Sequence, residues 1–237
     1  VDSVARIAVA LVLVVCFAAV GAIAYVYFLS FSPDRSRYPV RGIDVSNHQG
    51  AIDWQRVAAD DVAFAIIKAT EGGDFVDKSF ARNLKGAQAA GLAVGAYHFF
   101  TFCRPGADQA ANFLATVPRD RPLLPPVIDI EFVGNCDQRP LVDEVRAQVK
   151  AFLDPVEAAF GRAAVVYLIG EAADAYGIAV PERQRWVRSL AYHPGHEDWI
   201  YWQYHDKGRI AGIEGDVDLN VLQGDESAVK RILNPSS

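Results

Sequence analysis

The stretch Pro125-Pro126-Val127-Ile128-Asp129-Ile130-Glu131-Phe132 combines a buried strand with two acids. Side chains alternate across a strand, so Asp129 and Glu131 share one face while Ile128 and Ile130 share the other. Two carboxylates this close repel each other, which raises one pKa and leaves one group protonated near neutrality. A general acid needs that arrangement. An acid pair can also be neutralised by Arg or Lys or held by a metal, and that alternative stands beside the catalytic one.

Outward from this strand the same unit repeats. Residues 41–46 and 62–69 are strand-like, and the second is a nearly continuous apolar run, as in a strand buried on both faces. Asp53 can cap a short helix over 54–60. A helix over 79–90 stops at Gly91, suited to a left-handed C-terminal position. Strand 92–100, helix 107–116, strand 126–132, helix 141–160 (bent at Pro155), strand 163–168 and helix 171–176 follow. Residues 185–192, 199–204 and 217–222 then read as strands with little helix between them, and 225–233 closes the chain as a helix. Five βα units followed by three strands predict an α/β fold, an irregular TIM-like (β/α)5(β)3 barrel. A doubly wound open sheet is the alternative.

Residues 7–29 are 23 positions without Asp, Glu, Lys or Arg. At about 1.5 Å per residue they span a hydrocarbon core of about 30 Å. A signal peptide's apolar region is shorter, roughly 7–15 residues. Tyr25, Tyr27 and Phe28 suit an interfacial belt. The expected organisation is a transmembrane anchor over 1–30, a linker with two prolines over 31–39 and a catalytic domain over 40–237. Arg6 before the span and Arg35 and Arg37 after it leave the orientation undecided by charge. The net charge of −6 argues against a nucleic-acid partner.

Other strand ends supply matching chemistry. Asp44 ends the first strand, Tyr97 and Phe99 share a face at the third, Trp202 and Tyr204 near the seventh, and Asp218 and Asn220 near the eighth. In a βα barrel these ends open onto one rim. Flat aromatic faces beside carboxylates suit a carbohydrate, whose C–H faces stack and whose hydroxyls hydrogen-bond. Cys103 and Cys136 follow consecutive strands and are expected to form a disulfide, which an oxidising compartment permits. Neither has zinc-type spacing, and His193 and His196 lack a third ligand nearby, so neither a metal nor another cofactor is expected.

From residue 40 to about 222 the chain resembles the glycoside hydrolase family 25 lysozymes. The resemblance rests on Gly42-Ile43-Asp44-Val45-Ser46, Lys68-Ala69-Thr70-Glu71-Gly72, Gly95-Ala96-Tyr97-His98-Phe99, Asp129-Ile130-Glu131, Trp202-Gln203-Tyr204 and Asp218-Leu219-Asn220, in family order. It implies an irregular βα barrel that cuts the β-1,4 bond between N-acetylmuramic acid and N-acetylglucosamine in peptidoglycan. It also implies Glu131 as the catalytic acid, Asp129 as its stabilising neighbour, and Asp44 and Asp218 as further rim aspartates. Tyr97, Tyr167, Glu71 and Trp202 fall where the family lines its sugar subsites. One departure is Trp186-Val187-Arg188-Ser189, which replaces the more usual Trp-x-Ala-Arg. Two other readings of the acids remain: a metal-dependent phosphodiesterase, and a glycan-binding module without catalysis. The expected setting is a single-pass membrane protein with its catalytic domain outside the cytoplasm.

Overall fold

In the computed structural model, which describes residues 2–196 and 198–233, the β-rich runs form one sheet that closes on itself. In chain order the elements are α1 (Asp2–Ser30), β1 (Arg41–Val45), α2 (Trp54–Ala59), β2 (Phe64–Glu71), β3 (Phe75–Val76), α3 (Phe80–Ala89), β4 (Ala93–Phe99) and α4 (Gly106–Thr116). There follow β5 (Val127–Ile130), α5 (Val142–Phe160), β6 (Val165–Leu168), α6 (Gly170–Tyr176), β7 (Arg185–Arg188), β8 (Trp199–Gly208), β9 (Val217–Leu222) and α7 (Glu226–Leu233). The outer limits of the expected segments, residue 1 and residues 234–237, lie outside the described residues.

The strand order is β1-β9-β8-β7-β6-β5-β4-β2-β3, and pairing of β1 with β2 closes eight of the strands into a barrel. Seven of these run parallel, and β9 lies antiparallel to both β8 and β1. Helices connect the first six barrel strands, β1 through β7, while β7, β8 and β9 follow one another without an intervening α-helix. This is the expected (β/α)5(β)3 barrel, and the open sheet is excluded by the β1–β2 closure. Two details differ. The two-residue β3 folds back on β2 as a hairpin, too short to carry a pattern of its own. The seventh barrel strand, β8, runs on to Gly208, whereas β7 ends at Arg188 rather than reaching residue 192. As expected, α5 is one helix with Pro155 inside it.

Local chemistry accounts for the element ends. Asp53 accepts from the Arg56 N–H at 3.2 Å and so caps α2. Gly91, with φ of +85°, lets the chain leave α3 for β4. Gly42 faces into the barrel, where a Cβ would lie 2.3 Å from the Phe64 ring that fills the floor.

Alternation along each strand sorts the apolar residues into two layers. Phe64, Ile66, Val127, Val165, Tyr201 and Leu222 point inward and pack the barrel. Ile43, Ile67, Val94, Ile128, Ile130 and Val166 point outward beneath the helices. Around β8 a third cluster, of Tyr38, Trp199, Trp202, Tyr204 and Val221, covers the side that has no helix, with Phe31 packed against it.

Candidate active site

The inner-face residues at the C-terminal ends of the parallel strands surround one opening. β5 delivers Asp129 inward at its end, with Glu131 just beyond. Asp129 is buried, 7% exposed, and its Oδ1 has no hydrogen-bond partner among the described residues. Burial and the nearby Glu131 push its carboxyl well above the usual range, with Lys68 opposing. Glu131 is half-buried and borders a cleft of about 530 Å³ together with Tyr167, Arg188, Gln203 and Asp218. Burial raises its pKa, Arg188 and Lys68 lower it, and Asp218 raises it. Both members of the pair therefore hold protons more tightly than a solvated carboxyl, and they titrate together.

A second pair lies across the barrel seam. Asp44 of β1 is directly opposite Asp218 of β9 in the antiparallel register, and their carboxyls are hydrogen-bonded to each other. Such a bond requires a shared proton. Burial and Asp218 push Asp44 well up. Burial raises Asp218 to about 6 although Asp44 and Gln203 oppose the shift. The pair rests on a chain of donors: the Trp186 Nε1–H to Asn220 Oδ1 at 2.8 Å, then Asn220 Nδ2–H to Asp44 Oδ2 at 2.7 Å. On the other side, the Tyr167 O–H donates to Gln203 Oε1 at 2.7 Å, which turns the amide N–H₂ of Gln203 toward Asp218.

The remaining expected residues divide. Tyr97 is half-buried on the inner face, edge-on to Trp186 with ring centroids 6.5 Å apart, and its phenol is pushed well up by burial and by Asp44 and Asp129. The β2–β4 register slips between Lys68 and Thr70, so Lys68 and Glu71 both face the opening while Thr70 turns out to His98. Lys68 Nζ donates to Glu71 Oε2 at 2.7 Å and stands 4.8 Å above the Phe99 ring. Asn220 is fully buried and belongs to the floor rather than the cleft wall.

Trp202 and Tyr204 are not brought to the cleft. Tyr201 points into the barrel, so Gln203 does too, and Trp202 and Tyr204 fall on the outer face. Trp202 is 1% exposed, donates to Ser189 O at 2.9 Å, and packs against Tyr38 and Phe31. The outward phase follows from the missing helix: without one, this face needs large apolar side chains of its own. Gln203, Lys68 and Arg188 are the inner-face residues that the sequence reading passed over. The phase of β8, fixed by inward Tyr201, was the signal for Gln203.

The loops after β4 and β5 are joined. Cys103 and Cys136 form the expected disulfide, with Cα atoms 6.4 Å apart. Asn135 adds bonds to Phe100 O at 2.8 Å and Glu131 O at 2.9 Å, so the chain leaving Glu131 is tied to the neighbouring loop. Among the described residues, no three His, Cys, Asp or Glu side chains are arranged to hold a metal ion.

A closed (β/α)5(β)3 barrel with paired acids at this rim defines a glycoside hydrolase, and the chain belongs to the glycosyl hydrolases family 25, whose model matches residues 43–213. Its sequence is 34% identical over 229 residues to the Escherichia coli O157:H7 protein YegX, covering 89% of this chain and 82% of that one. It is 33% identical over 213 residues to Lysozyme M1 of Streptomyces globisporus, covering 82% and 71%. The solved structure of a family 25 glycosyl hydrolase from Bacillus anthracis superimposes with a TM-score of 0.77 at 37% identity, covering 85% of this chain and 95% of that one.

Proposed function

We propose that this chain is a muramidase, which hydrolyses the β-1,4 bond between N-acetylmuramic acid and N-acetylglucosamine in peptidoglycan. The observation that carries the reading is the Asp129–Glu131 pair, one member buried and one bordering the cleft, both with raised pKa. Glu131 protonates the glycosidic oxygen as the bond breaks. Asp129 sits behind it and stabilises the charge that develops on the sugar ring. A glycan strand covering the cleft removes water from Glu131 and raises its pKa further, which keeps the acid protonated for the step that uses it. The Asp44–Asp218 pair, on a different part of the rim, is placed to serve water or the substrate's acetamido group on the far face of the sugar. The similar Lysozyme M1 supports the same substrate class. A binder would have no use for carboxyls held protonated by burial, since these weaken rather than aid hydration of the site.

The test is a zymogram and reducing-end assay on purified peptidoglycan, with wild type and Glu131→Gln compared. Loss of at least about 100-fold is expected, the usual scale of general-acid catalysis, with the fold retained. Near-wild-type lysis by Glu131→Gln would remove Glu131 from the mechanism, and turnover of a phosphodiester substrate without any lysis of peptidoglycan would point to the phosphodiesterase instead.

The helix Ala5–Ser30 is long and apolar enough to cross a membrane, a property that a signal sequence shares. We propose that it anchors the barrel outside the cytoplasm, where the Cys103–Cys136 bond is stable. Recovery of intact chain from the aqueous fraction after cell lysis would overturn the anchor.

A further inference from the structure

Peptidoglycan is anionic at the muramic acid, and the cleft that would receive it is already acidic. Glu131, Glu171 and Asp218 line it, and among the described residues Arg188 is the single cation that does. Of the two cations near it, Lys68 is held by Glu71 at 2.7 Å, and Arg139, stacked 3.9 Å from the centre of the Phe132 ring, donates to the Cys136 and Gln138 carbonyls and does not line the cleft. Among the side chains that line the cleft, Arg188 is therefore the one that can pair with an incoming carboxylate. This residue ends β7, two positions after inward-facing Trp186, so its side chain shares that inner face. Asp206 of β8 accepts from its Nη2 at 2.8 Å, the one bond that the guanidinium makes among the described residues. Asp206 is not among the cleft's lining residues, and the Arg188 side chain remains 36% exposed. A guanidinium fixed at one nitrogen keeps further N–H donors in a rigid plane, the geometry that binds a carboxylate through two parallel bonds.

Resting on the muramidase reading, we propose that Arg188 forms a carboxylate-binding subsite for the acidic arm on C3 of the muramic acid. That arm offers a carboxylate in two ways. A peptide-free strand presents the lactyl carboxylate itself, and a peptide-bearing strand presents the carboxylates of its stem. Both require the same planar, charged partner. The subsite gives the cleft a means of distinguishing muramic acid from plain N-acetylglucosamine, which the stacking residues alone do not.

The experiment compares wild type with Arg188→Gln and Arg188→Lys on three substrates: peptide-bearing strands, peptide-free strands, and peptide-free strands whose lactyl carboxyl has been converted to the amide. Arg188→Gln is expected to raise KM on the carboxylate substrate about 10- to 100-fold, the scale of a charge-assisted pair, with the change in KM larger than any change in kcat. Arg188→Lys should recover only part of this, because an ammonium lacks the fork. On amidated strands wild type and Arg188→Gln should have similar KM. An effect confined to peptide-free strands identifies the lactyl carboxylate, and the enzyme then acts after an amide-cleaving reaction has removed the stem. An effect confined to peptide-bearing strands identifies a stem carboxylate. Equal losses on the acid and amide forms, a fall in kcat at unchanged KM, or no loss at all would overturn the subsite. Wild-type enzyme inert toward every strand would instead sink the muramidase reading, a result distinguishable from failure of the subsite alone.

Discussion

The two halves of this barrel are built differently. From β1 to β6 a helix lies between each barrel strand and the next, and those helices bury the outward residues of the sheet. From β7 to β9 no α-helix intervenes, and the outer face is covered instead by aromatics of β8 with Tyr38 and Phe31 from the connection to α1. Phe28 near the end of α1 reaches His205, with ring centroids 5.0 Å apart. The inner faces, by contrast, are equivalent in role: β5 in one half supplies Asp129, and β9 in the other supplies Asp218. Chemistry is thus shared around the rim while the means of covering the sheet is not. The helix-poor half depends on the segment that joins barrel to apolar helix, so aromatic residues there are structural where they would otherwise pass for sugar platforms.

The largest effect expected is on this cover. Trp202→Ala should destabilise the barrel by about 3–5 kcal/mol, the range for emptying a buried Trp site. The fraction that stays folded should keep turnover within about threefold. Urea unfolding and peptidoglycan turnover measured on the same preparation would decide it, and a variant that is stable but inactive would return Trp202 to the cleft.

In the helix-covered half, the disulfide joins the loops after β4 and β5 over a sequence separation of 33. Replacing both Cys103 and Cys136 by Ser should lower stability by about 3 kcal/mol. Activity should suffer as well, because the chain after Glu131 loses one of its ties. If melting is unmoved, the Asn135 bonds suffice to hold that loop.

Asp129→Asn tests whether the buried acid belongs to the reaction. Turnover should fall about 100-fold, equivalent to about 2.7 kcal/mol of barrier, since the pair titrates as a unit. The acid limb of the pH–rate profile should also shift, because Glu131 no longer has an ionisable neighbour. Activity within a few-fold of wild type would make Asp129 a bystander.

How much of this could be read from sequence depended on which rule governed each element. The barrel was legible because β2 and β4 carry long apolar runs and because helix signals lapse between residue 176 and the closing helix that starts near residue 225. Asp129, Glu131 and the Asp44 and Asp218 strand ends were legible from strand phase and family order together. β8 was misread, since Trp202 and Tyr204 share a face with each other but not with the opening. Aromatic identity suggests a sugar platform, whereas only the inward Tyr201 fixes the phase. Lys68 and Glu71 depend on a register slip that no local pattern announces. Arg188 was visible only as a departure from the family, and its role follows from the acids that three other strands bring beside it.

The smallest effect expected lies at the seam where the two halves close, at Asp218. Its folded pKa of about 6 stands above the ordinary aspartate range, chiefly through burial. The folded state thus binds the proton more tightly than the unfolded chain. That contribution is fully present below about pH 4 and is lost as pH rises through about 6, so the ionised group burdens the fold at neutrality. Asp218→Asn removes this burden while keeping an oxygen that can accept from Gln203. The variant should therefore gain on the order of 1–2 kcal/mol over wild type at pH 7, roughly 2–8 °C in melting temperature for a chain of this size, and little at pH 4. The effect is smaller than the shift alone would give, because Asp44 shares the proton and takes up part of the change. Calorimetry at the two pH values would settle it. An equal gain at both, or a larger one in acid, would mean that Asp218 is solvated in the folded state and shares no proton with Asp44.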